Sequence, residues 1–390
     1  MIIDEVHLLG EDRGPVIESI VARTLRQVES TQNMIRIVGL SATLPNYQDV
    51  AAFLRVSPEK GLFHFNNSYR PVPLSQQYIG ITVANKQKAR EKINEVCYKK
   101  LVKSLHEGNQ VMVFVHSRKE TYKAAEEMIK LAKEEPGDYN LFNVDRAVES
   151  SVLSQIRKSK NKQLTTLYPL GMGIHHAGML RNDRLLTEKL FAEGYLKVLF
   201  CTATLAWGVN LPAHTVIIKG TEVYNGNKGT FEDIGMLDVM QIFGRAGRPQ
   251  FDTSGEGIII TSFKMLPRYL SLLNHALPIE SSLSQNLADH LNAEIVLGTI
   301  TNVREAIQWL SYTYLFLRLI KNPLMYGIKG DAILSDPSFG GIRREMIEKA
   351  GKLLDSCKMI RYNEESQTFS PTDVGRIASH YYITHETISL

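Results

Sequence analysis

The residues best suited to chemistry stand at the start of the chain. Asp4-Glu5-Val6-His7 follows the apolar pair Ile2-Ile3, which reads as the end of a buried strand. In open α/β sheets, ligands bind outside the carboxyl ends of strands. Two adjacent carboxylates there invite a division of labour. Asp4 can hold Mg²⁺ through water, and Glu5 can orient or deprotonate an attacking water. A four-residue motif is weak evidence by itself, and a solvated strand-end turn explains it as well. Ser41-Ala42-Thr43 closes a second strand-like run, IRIVGLSAT (35–43). Small hydroxyl residues at a strand end suit a switch that links phosphate state to domain position. QIFGRAGR (241–248) is far more specific. Arg245 and Arg248 are three apart, so a helix would turn both guanidinium forks the same way. Two forks facing one direction suit a polyphosphate, and Gly244 and Gly247 leave room for close approach. The bland alternative is a solvated basic helix face.

These residues need a frame. Ile17, Ile20, Val21, Leu25 and Val28 share one face of a helix over 17–28. The run at 69–73, Tyr-Arg-Pro-Val-Pro, punctuates the chain as a linker. Beyond it, helix 92–107 leads into QVMVFVHS (110–117), a strand apolar on both faces, and then helix 121–135. The polar stretch 136–165 reads as an insertion with a helix. Further strands fall at 173–178, 197–203, 214–220 and 255–262, and this alternation predicts a doubly wound parallel sheet. TEVYNGNKGTFEDI (221–234) has two strand-like halves around turn residues, so a β-hairpin carrying Tyr224 and Phe231 is expected. After Pro278, helical patterns dominate from 283 to 320. Helix 342–357, strand-like KMIRY (358–362), a polar turn and QTFS (367–370) outline a winged helix.

Composition is that of an ordinary globular chain: 390 residues, 44% hydrophobic and 22% charged, which excludes collagen-like or mostly disordered classes. A net charge of +4 permits a nucleic-acid partner but confines any basic surface to local patches. Cys97, Cys201 and Cys357 are far apart and make no metal or disulfide spacing, which fits a reducing compartment, nucleus or cytoplasm. No apolar run approaches the roughly 18 residues that span a bilayer. His175-His176 lacks two further metal ligands at sensible spacing, so both read as packing and loop residues. Trp207 could stack on a base, but its place in ALAWGVN favours packing.

DEVH, SAT and QIFGRAGR, in that order, resemble a superfamily 2 nucleic-acid helicase of the superkiller-like DExH class. HSRK (116–119), GIHHAGML (173–180) and TATLAWGVNLP (202–212) fit the same pattern, and the resemblance covers essentially the whole chain. GEDRGPVIESIVAR (10–23), LSATLPNYQDVAAFL (40–54) and ASHYYI (378–383) resemble the large two-cassette members. The resemblance implies RecA-like lobes followed by a winged helix: part of a first lobe at 1–72, a second lobe at 73–277 and a winged-helix domain at 278–390. It implies ATP and Mg²⁺, a single-stranded or partly duplex RNA or DNA substrate, 3′ to 5′ unwinding, and a multi-subunit complex. Roles in DNA repair and ribosome quality control come from it alone. By position it assigns Asp4 and Glu5 to Mg²⁺ and water, and His7, Ser41, Ala42 and Thr43 to coupling. Gly208 and Asn210 fall near nucleotide, and Gln241, Arg245 and Arg248 on the phosphates. His116, Ser117, Arg118, Thr202 and Thr204 fall on the nucleic-acid backbone. Tyr224 and Phe231 fall where a hairpin parts the duplex.

One element of the pattern is missing. A glycine-rich phosphate loop ending in Gly-Lys-Ser or Gly-Lys-Thr does not occur, and Gly226-Asn-Lys228-Gly-Thr230 lacks the strand–loop–helix context to replace it. The expectation is therefore a chain that opens inside the first lobe and stops before a helical bundle. Apolar surface would then be exposed in 1–72, and the winged helix would pack on the second lobe as a brace. Three functions stay open: part of an ATP-dependent unwinding enzyme, a non-hydrolysing product that binds nucleic acid or partners, and a different phosphate-transfer protein.

Overall fold

The computed structural model describes residues 1–42, 44–135, 141–142, 156, 159, 161–225, 229–271 and 278–390. They form two compact units, Met1–His64 with Leu277–Leu390, and Phe65–Ala276. The chain opens with strand β1 (Ile2–Ile3), which pairs in parallel with β2 (Val38–Gly39), Ile2 opposite Val38. The connecting helix, Gly14–Thr31, carries Pro15 in its first turn, where a missing N–H costs nothing. It buries Val21, Ala22 and Leu25. The strand expected over 35–43 shrinks to two residues of ladder, and Ile2 (73% exposed), Met34 (89%) and Leu40 stay open to solvent. Apolar side chains are thus exposed within 1–72, as expected.

The Phe65–Ala276 unit is built on six parallel strands: β3 (Leu74–Ile81), β4 (Val111–Val115), β5 (Met172–His175), β6 (Val198–Thr202), β7 (Thr215–Lys219) and β10 (Gly255–Ser262). Their order is β3-β10-β7-β4-β6-β5. β4 sits inside the sheet, and all five of its side chains are buried, as its two-sided apolar run requires. β3 is an edge strand along the full length of β10. Ser75 and Gln76 on it face solvent, which is why no apolar run announces it in the sequence. Helices Lys86–His106 and Arg118–Glu134 are started by Asn85 and Ser117, whose side chains accept the N–H groups of Lys88 and Glu120. The hairpin expected over 221–234 is present as β8 (Glu222–Asn225) and β9 (Thr230–Asp233), with Tyr224 opposite Phe231. Most of 136–165, and the turn residues Gly226 and Lys228, lie outside the described residues.

The chain closes with helices Leu287–Val296, Val303–Leu310, Tyr314–Lys321 and Gly340–Ser356. The wing follows as β11 (Ile360–Asn363) against β12 (Thr368–Pro371), then helix Asp373–Tyr381. This region shares a unit with residues 1–64, and not with the sheet it was expected to brace. The joint is polar. Arg318 forms a two-pronged pair with Glu280 and also reaches Asp49, and Arg23 pairs with Glu294. Ser19 shares a hydrogen bond with His290, and the fully buried Glu18 accepts from Ser281 and from the Leu315 N–H at 2.8 Å.

Candidate functional site

The DEVH residues do stand at the carboxyl end of β1. Asp4 is exposed, and its carboxylate accepts the Glu5 N–H at 3.0 Å. Glu5 has φ 56°, in the left-handed region that a side chain rarely adopts, and so turns sharply out of the strand. His7 is fully buried one turn on. Its Nδ1 accepts the Ala42 N–H at 3.1 Å, which leaves the ring proton on Nε2, 3.1 Å from the Glu5 carboxylate. Burial pulls the His7 pKa below its ordinary value, against the opposing pull of Glu5 and Asp4, and favours this neutral form. One imidazole thus ties the carboxylate of the first motif to the backbone of the second, 35 residues away. Ser41 is exposed and donates to the Ala42 carbonyl at 2.7 Å; Thr43 lies outside the described residues.

The arginine motif differs from its expected geometry. Its helix, Met236–Phe243, ends before either arginine. Gly244 caps it, and Gly247 takes φ +86°, a conformation that denies the run a helical path. A Cβ at Gly247 would also lie 2.6 Å from Val72. The two forks therefore do not share a helix face: Arg245 reaches the Ala206 carbonyl, and Arg248 reaches Asp252 and Gln110. Gln241 sits in the last helical turns, half-buried. The loop rests on a residue that sequence reading assigned only to a linker. Arg70 donates to the carbonyls of Phe243 (3.2 Å), Ala246 (2.7 Å) and Val72 (2.9 Å), capping the helix and fixing Val72 beneath Gly247. Its one legible sign was an arginine directly before the Pro71-Val72-Pro73 run.

These residues fall on two opposite edges of the sheet in this unit. Gln110 and Ala213 precede β4 and β7, Gly255 opens β10, and Ala213 bonds both Arg245 and Gly247, so the arginine loop lies along the amino edge of the sheet. His116, Ser117 and Arg118 follow β4 at the opposite edge, and Thr202 and Thr204 stand at the end of neighbouring β6. The segment 202–213 runs from one edge to the other through the short helix Thr204–Gly208, then exposed Asn210. At the carboxyl edge, His116 gives Nε2–H to the Gly220 carbonyl at 2.6 Å, and burial keeps its ring below the ordinary pKa. Its side chain therefore holds the turn, while Ser117 and Arg118 stay exposed. The Thr202 and Thr204 hydroxyls are 2.9 Å apart. These are hydroxyl and guanidinium donors at strand ends, apt for phosphodiester oxygens without sequence readout. Tyr224 (58% exposed) and Phe231 (66%) form an edge-to-face pair on the hairpin, centroids 5.3 Å apart. His175 is buried against Glu188 at 2.7 Å, a packing role as expected. The Trp207 side chain lies outside the description.

No group of three or more metal-ligating side chains occurs among the described residues. The exposed Asp4 carboxylate is a hard oxygen donor. That fits Mg²⁺, which keeps several waters and takes one or two carboxylates plus substrate phosphates.

A parallel α/β sheet with an arginine loop on one edge and hydroxyl and arginine side chains at strand ends on the other, together with a winged helix and a carboxylate–histidine contact, is the set of features that the resemblance to DExH helicases implies. The chain belongs to the superkiller-like class of these proteins. Residues 141–250 match the helicase conserved C-terminal domain, and residues 280–357 match a winged helix-turn-helix domain. Activating signal cointegrator 1 complex subunit 3 of Danio rerio is 58% identical over the whole chain, which covers 25% of that protein. The DExH-box ATP-dependent RNA helicase DExH14 of Arabidopsis thaliana is also 58% identical, and the Homo sapiens cointegrator subunit 57%, with 18% of each covered. The chain thus spans a quarter or less of the length of these relatives.

Proposed function

We propose that this chain is part of an ATP-dependent helicase that couples nucleotide hydrolysis to 3′ to 5′ movement along a nucleic-acid strand. ATP supplies the phosphoanhydride bond whose hydrolysis drives the motion. Asp4 would hold Mg²⁺, which when bound would neutralise phosphate charge. Glu5, turned out of its strand and oriented by His7 Nε2–H, accepts the proton of the attacking water. Gln241, Arg245 and Arg248 serve the phosphates, beside Gly208 and Asn210. Ser117, Arg118, Thr202 and Thr204 grip the strand backbone. Tyr224 and Phe231 stack at the duplex junction.

The observation that carries this reading is His7, whose two ring nitrogens engage Glu5 and Ala42. A shift of Glu5 during hydrolysis is passed to the 41–43 segment through one rigid ring. A test on the 390-residue chain is binding of a fluorescein-labelled single-stranded oligouridylate. Arg118→Ala and Thr202→Val should each weaken it about five- to tenfold, within the range of one lost phosphate contact. Equal affinity in both variants would remove the carboxyl edge from the nucleic-acid track. The relatives' names favour RNA and a complex with cointegrator subunits; the cysteine usage supports a place in nucleus or cytoplasm, and DNA repair and ribosome quality control extend the same reading.

A further inference from the structure

Arg248 is already held on several sides. Its Nε and one terminal nitrogen donate to the two oxygens of Asp252 at 3.0 and 2.8 Å, and its backbone N–H donates to the same carboxylate at 2.8 Å. Its other terminal nitrogen donates to Gln110 Oε1 at 2.7 Å. Gln110 is fixed in turn, since its amide nitrogen donates to the carbonyls of Phe191 and Leu196, both at 2.7 Å. The guanidinium lies 5.4 Å from the centroid of the Phe251 ring. Asp252 and Gln110 are buried, yet the Arg248 side chain remains 24% exposed. A guanidinium has five N–H donors. Asp252 and Gln110 take three, so two remain beyond the contacts made to these described residues.

We infer that Asp252, backed by Gln110, is a positioning residue that presents the remaining Arg248 donors to phosphate oxygens. The inference rests on the reading of Arg248 as a phosphate-binding side chain. A long side chain fixed before its ligand arrives loses less conformational freedom on binding. The carboxylate takes the side of the fork that includes Nε, so a phosphate can approach the free donors without displacing it. Burial alone would raise the Asp252 pKa, but the hydrogen bonds from Arg248 hold it below the usual range, so the carboxylate stays charged at neutral pH. An arginine on a flexible loop would have no such fixed geometry.

The test uses the 390-residue chain labelled with ¹⁵N-arginine, and inorganic tripolyphosphate as the probe. The Arg248 Nε–H signal is assigned by its loss in Arg248→Lys. In the unsubstituted chain that proton should exchange slowly with water, and its signal should move on titration with tripolyphosphate. Asp252→Asn should speed the exchange at least tenfold and raise the half-saturating tripolyphosphate concentration about five- to tenfold. Asp252→Ser, of different size, gives the same readout should the amide disturb folding, and thermal unfolding checks both. A signal that moves equally in the unsubstituted chain and the variants overturns the inference alone. Tighter binding in the variants also overturns it, because Asp252 would then be a competitor of phosphate. A signal that tripolyphosphate never moves overturns the phosphate reading of Arg248 as well.

Discussion

Glu18 is a fully buried carboxyl group on the Gly14–Thr31 helix, held by the Ser281 hydroxyl and the Leu315 N–H. Burial pushes its pKa from 4.5 up to about 8, while hydrogen bonds from Ser281 and Leu315 pull the other way. Between those two values the folded chain keeps a proton that the unfolded chain releases. Stability must therefore fall as pH rises from about 4.5 to about 8, and level off above that. Glu18→Gln keeps the shape and removes the titration. It should flatten this slope and raise the unfolding free energy at pH 8.5 by on the order of a few kcal/mol, read as a higher thermal midpoint. An unchanged pH slope would show that Glu18 is ionised at no such cost. Arg70 makes a second residue-scale prediction. A lysine there cannot span three carbonyls from one fork, so Arg70→Lys should lower the stability of the Phe65–Ala276 unit by roughly 1–3 kcal/mol. Calorimetry of the chain checks it, and a midpoint equal to the unsubstituted one would show that the cap is dispensable.

The hairpin β8–β9 is the element most directly open to surgery. Its aromatic pair is solvent-exposed and the arginine loop proposed to serve the phosphates lies elsewhere in the sequence, at 244–248. In a polypeptide that hydrolyses ATP, replacing 224–231 with a short Gly-Ser turn should spare nucleic-acid-stimulated hydrolysis and sharply reduce duplex unwinding. Unwinding per ATP that stays constant would reduce the hairpin to surface structure. This hairpin was legible because strand-like halves and turn residues sit together in 14 consecutive positions. β4 was legible because a strand buried on both faces must be apolar throughout. β3 was not, because an edge strand with Ser75 and Gln76 facing out carries no such signal. The arginine run was legible in composition but misread in geometry. Three-residue spacing implies a shared face only on a helix, and Gly247 at positive φ removes the helix. Arg70 and Asp252 lay beyond reach for another reason: what they do depends on contacts that only the folded chain creates.

At the scale of the whole molecule, residues 1–64 and 277–390 share one unit although the other unit separates them in sequence. The winged helix is therefore best tested inside the complete chain, because Glu18, Asp49 and Glu294 cross between its two segments. The order of motifs made the helicase class readable, while that pairing of segments was not, since buried ion pairs between distant helices leave no periodic trace. The 390 residues contain no phosphate-loop sequence, whose backbone N–H groups and lysine grip the nucleotide. The chain alone should release no more phosphate from ATP with RNA present than its Glu5→Gln variant, as read by a phosphate-sensor assay; a clear excess would show that another segment supplies that grip. The coupling role proposed for His7 rests on its joining the Glu5 carboxylate to the Ala42 backbone. The direct test joins this chain behind the phosphate-loop segment of a 58%-identical relative and measures ATP hydrolysis and duplex unwinding together. Glu5→Gln should abolish both. His7→Leu should leave a substantial part of the hydrolysis and lower the base pairs opened per ATP at least tenfold. Hydrolysis and unwinding that fall in equal proportion in His7→Leu would contradict the coupling role.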